Sequence, residues 1–377
     1  NYKKITLKYI ILYIEMKKIS NSLNQKIKKF IQIIFKLIYG NINHDIKKIS
    51  SEKIKISETK ILKKISNEGY KVCEINKGRI YTDFVENVAV IEKNTILEPF
   101  SYQTYDGKYL PYSENTCVKK GTPRIKKYFK GNILNLTQGA SGHSNYFHWL
   151  FDILPKIKIF SELHDLSSID YFYLDNLKPY QKNILKLMGL ENINIISANK
   201  HRHIQADKIF ATEHPWYFKG LILEEVNNMP DWIIEWLNEK FLKFANNFNA
   251  GEKIYIDRSE SSFKHCQFKN ENEISRFLLN KGFVKYKVGN LSFEDQIFLF
   301  NNAKVIFGAH GAAFANLIFC KKDTKVIEVK PEYHPNKISK KIAKINKLDL
   351  SLIETKELQN KENGDIELDI NILNNLL

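Results

Sequence analysis

Apolar residues along the chain follow two patterns: short continuous runs typical of buried strands, and spacings of three and four residues typical of helices. The clearest alternation lies between Val305 and Pro331. An apolar run, Val305–Phe307, is followed by Gly308–Gly311, an apolar helix face and a second run, Lys325–Val329. This order predicts a strand, a glycine turn, a helix and a second, parallel strand. The turn and the end of the second strand then share the carboxyl edge of the sheet, where open α/β sheets bind ligands.

The glycine turn has the properties of an anion site. Gly308 and Gly311 would permit backbone angles that a side chain forbids, and a close approach of a ligand to the main chain. A helix that begins after them offers free N–H groups and a partial positive charge to a phosphate. The alternative is a tight turn that binds no ligand. The Gly-x-x-Gly spacing also differs from the dinucleotide-binding fingerprint.

Similar patterns recur through the rest of the chain. They predict strands at Arg79–Glu92, Ile133–Leu136, Asp170–Leu174, Ile193–Ile196, Ile204–Phe210, Lys253–Asp257 and Phe283–Val288. They predict helices from Ser144 to Leu154, at Pro179–Met188 and at Asp231–Phe248, with further helices opened by Asn270 and by Ser292. Pro155 should kink or interrupt the first of these helices. Alternation of strands and helices at this rhythm favours parallel α/β domains.

A chain of 377 residues is long enough for two domains with separate cores. We expect a basic helical extension over residues 1–66, an N-terminal domain over 70–230, a connecting helix over 231–250, a C-terminal domain over 251–350 and a polar tail over 351–377. Residues 43–66 are expected to be helical. The first methionine is Met16, which leaves open the alternative that residues 1–15 are not native.

The N-terminal extension carries +12 of the net charge of +16. From Ile19 to Ile38 apolar residues recur at three and four residues with lysines at their flanks, which predicts an amphipathic helix. Such a helix can lie on an anionic membrane surface through residues 16–66, or it can pack on the body or on a second copy of the chain as a homo-oligomer. The remaining residues are nearly balanced in charge, so nucleic-acid binding is not indicated.

The four cysteines are far apart and fit neither a zinc site nor a dense disulfide framework. They indicate separate thiols in a reducing compartment, and we expect a cytoplasmic protein. The apolar run Leu7–Ile14 is too short to span a bilayer. No small-residue cleavage site follows it, so a signal peptide is not indicated.

Two groups of residues carry candidate chemistry. His148 and Asp152 are four residues apart on a predicted helix, so the carboxylate can orient the imidazole as a general base for a hydroxyl. His143 precedes the same helix; the alternative for the pair is a surface hydrogen bond. Arg258 ends a strand at the edge that holds the glycine turn, where a guanidinium can bind a phosphate or form an ordinary salt bridge. His310, inside the turn, can donate to a phosphate oxygen or shape the turn.

Several segments together resemble the family 61 glycosyltransferases, in the family's order over roughly residues 80–332. They are Asn145–Pro155, Tyr255–Arg258, Asn270–Glu273, Phe293–Gln296, Gly308–Asn316 and Val326–Glu328. The resemblance implies the GT-B architecture, in which two Rossmann-like domains face each other across a cleft. It implies inverting, metal-independent transfer of a sugar from a nucleoside diphosphate, expected to be UDP, without a cofactor. The acceptor would be a carbohydrate or lipid-linked glycan, at the inner face of the membrane if the basic helix binds there.

The resemblance also implies roles for individual residues. His148, oriented by Asp152, would be the base, and His143, Asn145 and Trp149 would lie on the acceptor side. The donor side would comprise Arg258, Lys264, Gly308, His310, Gly311, Ala312, Asn316 and Glu328, with Glu328 at the ribose. The chain departs from the family where Asp257 replaces a serine and where a second arginine is absent, which Lys264 or His265 would replace.

Two other functions fit the same residues. Transfer of another activated group, such as pyruvyl transfer to a glycan, could use a similar two-domain scaffold. A non-catalytic glycan-binding protein that kept the fold would bind nucleotides without turnover. Incubation with nucleotide-sugars and with phosphoenolpyruvate separates these alternatives.

Overall fold

The structure is a computed structural model that describes residues 23–44, 53–83, 87–137, 145–259, 266–332, 334, 337–355 and 365–377. Within these ranges the chain forms one sheet of mixed direction and one parallel sheet, each packed with helices. The predicted α/β fold class is confirmed. The domain boundaries stay a prediction.

Strands β1–β11 form the first sheet and β12–β16 form the second. The strands are β1 Ile54–Lys63, β2 Gly69–Asn76, β3 Arg79–Thr82, β4 Asn87–Glu92, β5 Thr95–Ile96, β6 Tyr102–Tyr105, β7 Lys108–Tyr109, β8 Lys127–Asn135, β9 Tyr171–Leu174, β10 Asn194–Ser197, β11 His203–Thr212, β12 Lys253–Ile256, β13 Val284–Tyr286, β14 Val305–Ala309, β15 Lys325–Pro331 and β16 Asp349–Thr355.

The helices connect these strands or flank them. They are α1 over residues 23–39, α2 Thr116–Lys120, α3 Tyr146–His148, α4 Leu154–Ser161, α5 Pro179–Leu187, α6 Ile222–Glu225, α7 Asp231–Phe241, α8 Glu271–Asn280, α9 Phe293–Asn302, α10 Ile338–Asn346 and α11 Ile370–Leu376. A π-helical turn, Trp149–Ile153, joins α3 to α4, and a 3₁₀ helix, Ala312–Phe319, follows β14. The prediction of a helix after the glycine turn is therefore met by a 3₁₀ helix.

The first sheet is only partly parallel. Its central strand β11 pairs in parallel with β8, beyond which β9 and β10 continue in the same direction. On its other side β11 pairs antiparallel with β2 and β3, and β4, β6 and β7 continue that half. The connections between β2 and β7 are too short for a parallel crossover, which needs a dozen or more residues. The prediction of a parallel N-terminal domain thus holds for β8–β11 alone.

The second sheet is parallel throughout, in the order β13-β12-β14-β15-β16. The chain moves outward from β12 to β13 in one direction and from β14 to β16 in the other. The carboxyl ends of β12 and β14 therefore form a topological switch point, the position at which open α/β sheets bind ligands. Asp257 and Arg258 follow β12 there, and His310 and Gly311 follow β14.

Two expectations about the ends of the chain were wrong. Residues 43–66, predicted as helical, contain β1, whose isoleucines and threonine suit a strand paired antiparallel with β2. The predicted polar tail contains the edge strand β16 and the helix α11, which buries Leu373. Asp365, which belongs to this tail, is buried and pairs with Lys269 at 2.7 Å. The secondary structure of both segments depends on contacts with residues distant in sequence, and such contacts leave little signal in the local composition.

A continuous apolar cluster joins the two sheets. It contains residues from the first sheet and its helices, such as Trp149 and Phe160, and residues from the second, such as Ile306 and Phe314. The segment from α3 to α4 lies in this shared core, because its buried face contributes to the cluster along its whole length. The four cysteines are free and buried, as the sequence predicts.

Helix α1 is attached to the first sheet only near its end. Tyr39 packs edge-on against His203 with ring centroids 5.0 Å apart, and its hydroxyl accepts a hydrogen bond from the Lys126 N–H at 3.1 Å. The apolar stripe of the helix is exposed, from 38% at Ile34 to 82% at Leu37. The stripe is therefore not covered by the body of the protein over residues 23–39.

Candidate active site

The helix that carries the predicted base begins as expected and continues past Pro155. Asn145 caps it, since its side chain accepts from the Phe147 N–H at 2.9 Å; the predicted cap Ser144 lies outside the described residues. Pro155 offers no N–H to the carbonyl four residues earlier, Phe151. The indole N–H of Trp216 donates to that carbonyl at 3.2 Å, and the π-helical turn absorbs the change of spacing. The predicted kink is replaced by this turn.

His148 and Asp152 form the contact that their spacing predicts. His148 Nδ1 lies 2.5 Å from Asp152 Oδ2. Because an ionised carboxylate only accepts hydrogen bonds, Nδ1 carries the proton and Nε2 presents its lone pair. The Asp152 side chain is fully buried, whereas the His148 side chain is 19% exposed. The imidazole therefore has a fixed orientation and remains accessible, which is the arrangement a general base requires.

Of two residues that the sequence does not single out, Trp216 bonds Asp152 and Lys156 lies near its charge. The indole N–H of Trp216 donates to Asp152 Oδ1 at 2.6 Å, so both carboxylate oxygens are bonded. Lys156, one helical turn further along, is buried, and burial lowers the pKa of its ammonium group to about 8 while the nearby Asp152 charge opposes that shift. Trp216 is more than sixty residues away in sequence, and a local pattern cannot reveal it.

Arg258 and Gly311 meet at the switch point of the second sheet. A Cβ atom added to Gly311 would lie 1.2 Å from Arg258 Nη1, so the guanidinium occupies the space that the glycine leaves. Gly311 has a φ of 170°, an extended conformation open to any residue, and Gly308 also lacks a positive φ. The expectation of special backbone angles was wrong: the glycines provide room. At Gly308 the space is filled by the neighbouring strand, because an added Cβ would lie 2.9 Å from Ile256 Cβ.

His310 and Glu328 form a second buried pair at the same edge. His310 Nδ1 lies 2.5 Å from Glu328 Oε1, and the His310 N–H donates to the Val329 carbonyl at 2.7 Å. The ring of His310 also packs on that of His334, with centroids 4.1 Å apart. Glu328 is almost completely buried and its carboxylate fixes the orientation of His310, while its contact with a ribose stays a prediction.

A hydrogen-bonded chain connects the helix of His148 to the edge that holds Gly311. The Tyr146 hydroxyl donates to Asn316 Oδ1 at 2.5 Å, and Asn316 Nδ2 donates to Gln296 Oε1 at 3.0 Å. Asn316 is fully buried and uses both ends of its amide within the protein. It therefore links the helix of His148 to α9, and its contact with the donor stays a prediction.

The remaining predicted site residues have varied positions. Asn145 is the helix cap described above, and Ala312 is half-buried at the first position of the 3₁₀ helix. Trp149 is fully buried in the shared core, and its place on the acceptor side stays a prediction. His143 and Lys264 lie outside the described residues. Near them, Asp257 accepts from the Ser259 N–H at 2.8 Å and thereby fixes the turn that carries Arg258.

A pocket of about 180 Å³ opens beside Arg258. Its walls include Tyr255, Asp257, Ser259 and Glu271, together with Ala309 at the end of β14. Lys285 pairs with Glu271 at 2.6 Å and lies 3.6 Å from Asp257, so one cation offsets part of the negative charge of these two carboxylates. The pocket provides space for a polar ligand next to the guanidinium.

The described residues therefore form an α/β protein with a histidine–carboxylate pair on one unit and an arginine-bearing switch point on the other. This combination suits a group-transferring enzyme, which needs a base and a group that binds a leaving anion. Residues 146–327, which carry both features, match the family model Glycosyltransferase 61. The match covers 182 of the 377 residues and supports a family 61 glycosyltransferase. No curated protein matches the chain.

Two further observations concern metals and membranes. Within the described ranges, no group of three or more His, Cys, Asp or Glu side chains is placed to hold a metal ion. Independence of a metal stays a prediction. None of the described helices combines the length and the apolar character that crossing a bilayer requires.

Proposed function

We propose that the protein transfers a sugar from a UDP-sugar to a hydroxyl of a carbohydrate or lipid-linked glycan, with inversion at the anomeric carbon. The observation that carries this proposal is the contact between Arg258 and Gly311 at the switch point, connected through Asn316 to the helix of His148. A GT-B arrangement, independence of a metal and a role in polysaccharide or glycoconjugate synthesis belong to the proposal.

We place the donor at the carboxyl edge of the second sheet because Arg258 carries a positive charge there. The Arg258 guanidinium can bond two oxygens of a diphosphate in parallel, and the first N–H groups of the 3₁₀ helix lie next to it. His310 can donate from Nε2 when its ring carries a second proton, whose charge then faces the Glu328 carboxylate. These groups would stabilise the negative charge that develops on the diphosphate as it leaves.

We place the acceptor hydroxyl next to His148 because the Nε2 atom of its neutral ring can accept a proton. Its Nε2 takes the proton of the acceptor hydroxyl as the hydroxyl oxygen attacks the anomeric carbon. The bond between that carbon and the diphosphate oxygen breaks on the opposite face, which inverts the configuration. Asp152 stabilises the imidazolium that forms and keeps its orientation, without taking the proton itself.

Turnover of a panel of donors tests the proposal. We expect the purified protein, given UDP-, GDP-, TDP- and CMP-sugars with a mixture of oligosaccharides, to release a nucleoside diphosphate from a UDP-sugar. The product should have the anomeric configuration opposite to that of the donor, measured by proton NMR. Binding of nucleotides without any release would favour the non-catalytic glycan-binding protein, and consumption of phosphoenolpyruvate would favour pyruvyl transfer.

We further propose that helix α1 holds the enzyme on the inner, anionic face of a membrane. Eight apolar side chains of the helix are exposed, among them Phe30, Leu37 and Ile38. The helix contains four lysines and no acidic residue, which complements an anionic surface. The lipid-linked glycan acceptor of the proposed reaction would lie on the same surface.

Cosedimentation with vesicles tests this attachment. We expect the full chain to bind vesicles that contain phosphatidylglycerol and to release them as salt rises, because salt screens the lysine charges. Replacing Phe30 and Leu37 by serine should reduce binding at least several-fold, whereas Ile61→Ser, an equally exposed isoleucine on β1, should not. Unchanged binding in the double variant would contradict the proposal, and a dimer that dissociates in it would identify a second copy as the occupant.

A further inference from the structure

A second pocket, of about 240 Å³, lies close to the His148–Asp152 pair and has no role in the steps above. Its walls include four tyrosines and a set of buried polar side chains, Lys156, Thr212, Glu213 and His214. Lys156 is one helical turn from Asp152, and His214 is two residues before the Trp216 that donates to Asp152. The pocket therefore shares its wall with the groups that orient the base.

His214 presents a fixed hydrogen-bond donor in this wall. Its Nδ1 accepts from the N–H groups of Trp216 at 3.2 Å and Tyr217 at 3.0 Å, so the proton of the neutral ring resides on Nε2. Burial lowers the pKa of His214 well below its ordinary value, which keeps the ring neutral. Nε2 is buried without a hydrogen-bond partner, which is uncommon for a donor in a native protein.

Thr212 presents a second buried polar group without a partner. Its hydroxyl oxygen makes no hydrogen bond although the residue is almost completely buried. Leaving a buried hydroxyl unpaired destabilises the folded protein. Two such groups in the wall of one pocket, next to the donors of Lys156, indicate a ligand that offers hydroxyl groups.

The aromatic walls indicate the shape of that ligand. Tyr102 and Tyr217 pack edge to face with centroids 6.1 Å apart, and Tyr109 and Tyr112 do so at 6.0 Å. A sugar ring presents C–H groups on its faces and hydroxyls around its edge, so it matches aromatic walls with a few polar groups between them. The volume is below the roughly 300–1,000 Å³ of pockets for drug-sized ligands, which suits one sugar residue.

We propose that this pocket is an acceptor subsite that binds one neutral sugar residue of the glycan, with its hydroxyls bonded to His214 Nε2 and Thr212 Oγ1. The inference rests on the proposed function, because it places the acceptor next to the base. Glu213 bonds Lys64 at 2.7 Å, Lys156 lies near the Asp152 charge, and the other charged residue of the wall, Glu98, is acidic, so the wall offers no unopposed positive charge. A neutral sugar is therefore a better match than a carboxylate or a phosphate.

Binding of free sugars to the full chain tests the subsite without any donor. The probes are the methyl glycosides of glucose, galactose, mannose, xylose and N-acetylglucosamine, followed by saturation-transfer NMR and titration. We expect at least one of them to bind the wild type. Thr212→Val should weaken it roughly 2- to 10-fold, the scale of one neutral hydrogen bond. Thr212→Ser, which keeps the hydroxyl, should bind nearly as the wild type does.

The melting temperature of each variant is the control for a general effect on folding. Because Thr212 Oγ1 has no partner in the protein, Thr212→Val should leave the melting temperature unchanged or raise it. Thr122 is a matched residue: it is equally buried, its hydroxyl is also unpaired, and it does not line the pocket. Thr122→Val should therefore change neither stability nor sugar binding appreciably.

The outcomes separate this inference from the proposed function. Equal sugar binding by the wild type and Thr212→Val, or no binding of any glycoside, would overturn the subsite and mean that the pocket holds water only. A titration with UDP reports on the donor site of the other sheet and should be the same in both proteins. Loss of sugar binding in Thr212→Val together with absence of UDP binding would support the subsite and contradict the proposed donor.

Discussion

Replacing His148 by alanine is expected to lower kcat by roughly 10²–10⁴-fold, the usual contribution of a positioned acid–base group. The effect should lie in kcat because His148 Nε2 acts on the acceptor hydroxyl in the transition state. Binding of UDP should remain unchanged, since Arg258 and Gly311 belong to the second sheet. Steady-state kinetics with the identified donor and acceptor, and calorimetry with UDP, measure the two effects separately.

Two further variants make this prediction specific. Asp152→Asn keeps the size of the side chain but can donate to His148 Nδ1, which favours the wrong tautomer and should also lower kcat strongly. His164→Ala removes a histidine from just beyond the same helix, where it packs on Phe160, and should leave kcat unchanged. Wild-type turnover in His148→Ala would show that another group in the site is the base.

Replacing Gly311 by alanine is expected to remove the contribution of Arg258 to diphosphate binding. The new Cβ would overlap Arg258 Nη1, and the flexible arginine side chain would have to move away. A charged hydrogen bond contributes roughly 1.5–3 kcal/mol, so the affinity for UDP should fall about 10- to 150-fold. The melting temperature should change little, because the extended backbone of Gly311 accepts an alanine.

Gly308→Ala is the matched control for this prediction. The added Cβ would clash with Ile256 in the neighbouring strand β12. This variant should therefore have a lower melting temperature, because the packing between β12 and β14 is disturbed. The double variant Gly311→Ala with Arg258→Ala should bind UDP about as weakly as Arg258→Ala alone, because both changes remove the same contact. Additive losses would show that Gly311 acts on the ligand independently of the arginine.

Most of the second sheet was predictable from the sequence because its signals are local. Strands β12–β15 are apolar runs bounded by turn residues, whereas the edge strand β16 lay largely in the segment predicted as a polar tail. Helix α9 begins with a Ser292 cap that accepts from the Asp295 N–H, as expected. The positions of Arg258 and Gly311 at one edge follow from the direction of parallel strands. The pair of His148 and Asp152 follows from the helical period alone.

The parts that could not be predicted depend on contacts distant in sequence. The antiparallel half of the first sheet is decided by pairing of β2 and β3 with β11, more than a hundred residues later. The support of Asp152 by Trp216 and the pocket around His214 arise from the same long-range folding. The glycines were misinterpreted for a different reason, since a sequence does not distinguish a glycine that needs a special φ from one that gives space to Arg258.

Calorimetric titration of wild type and Arg258→Ala with UDP and with uridine tests the central claim most directly. If the switch point of the second sheet binds the diphosphate of the donor, Arg258→Ala should weaken UDP by roughly 1.5–3 kcal/mol. It should leave the affinity for uridine nearly unchanged, because the guanidinium contacts phosphate only. Equal losses for UDP and uridine, or no loss for UDP, would contradict the assignment of the diphosphate to this edge.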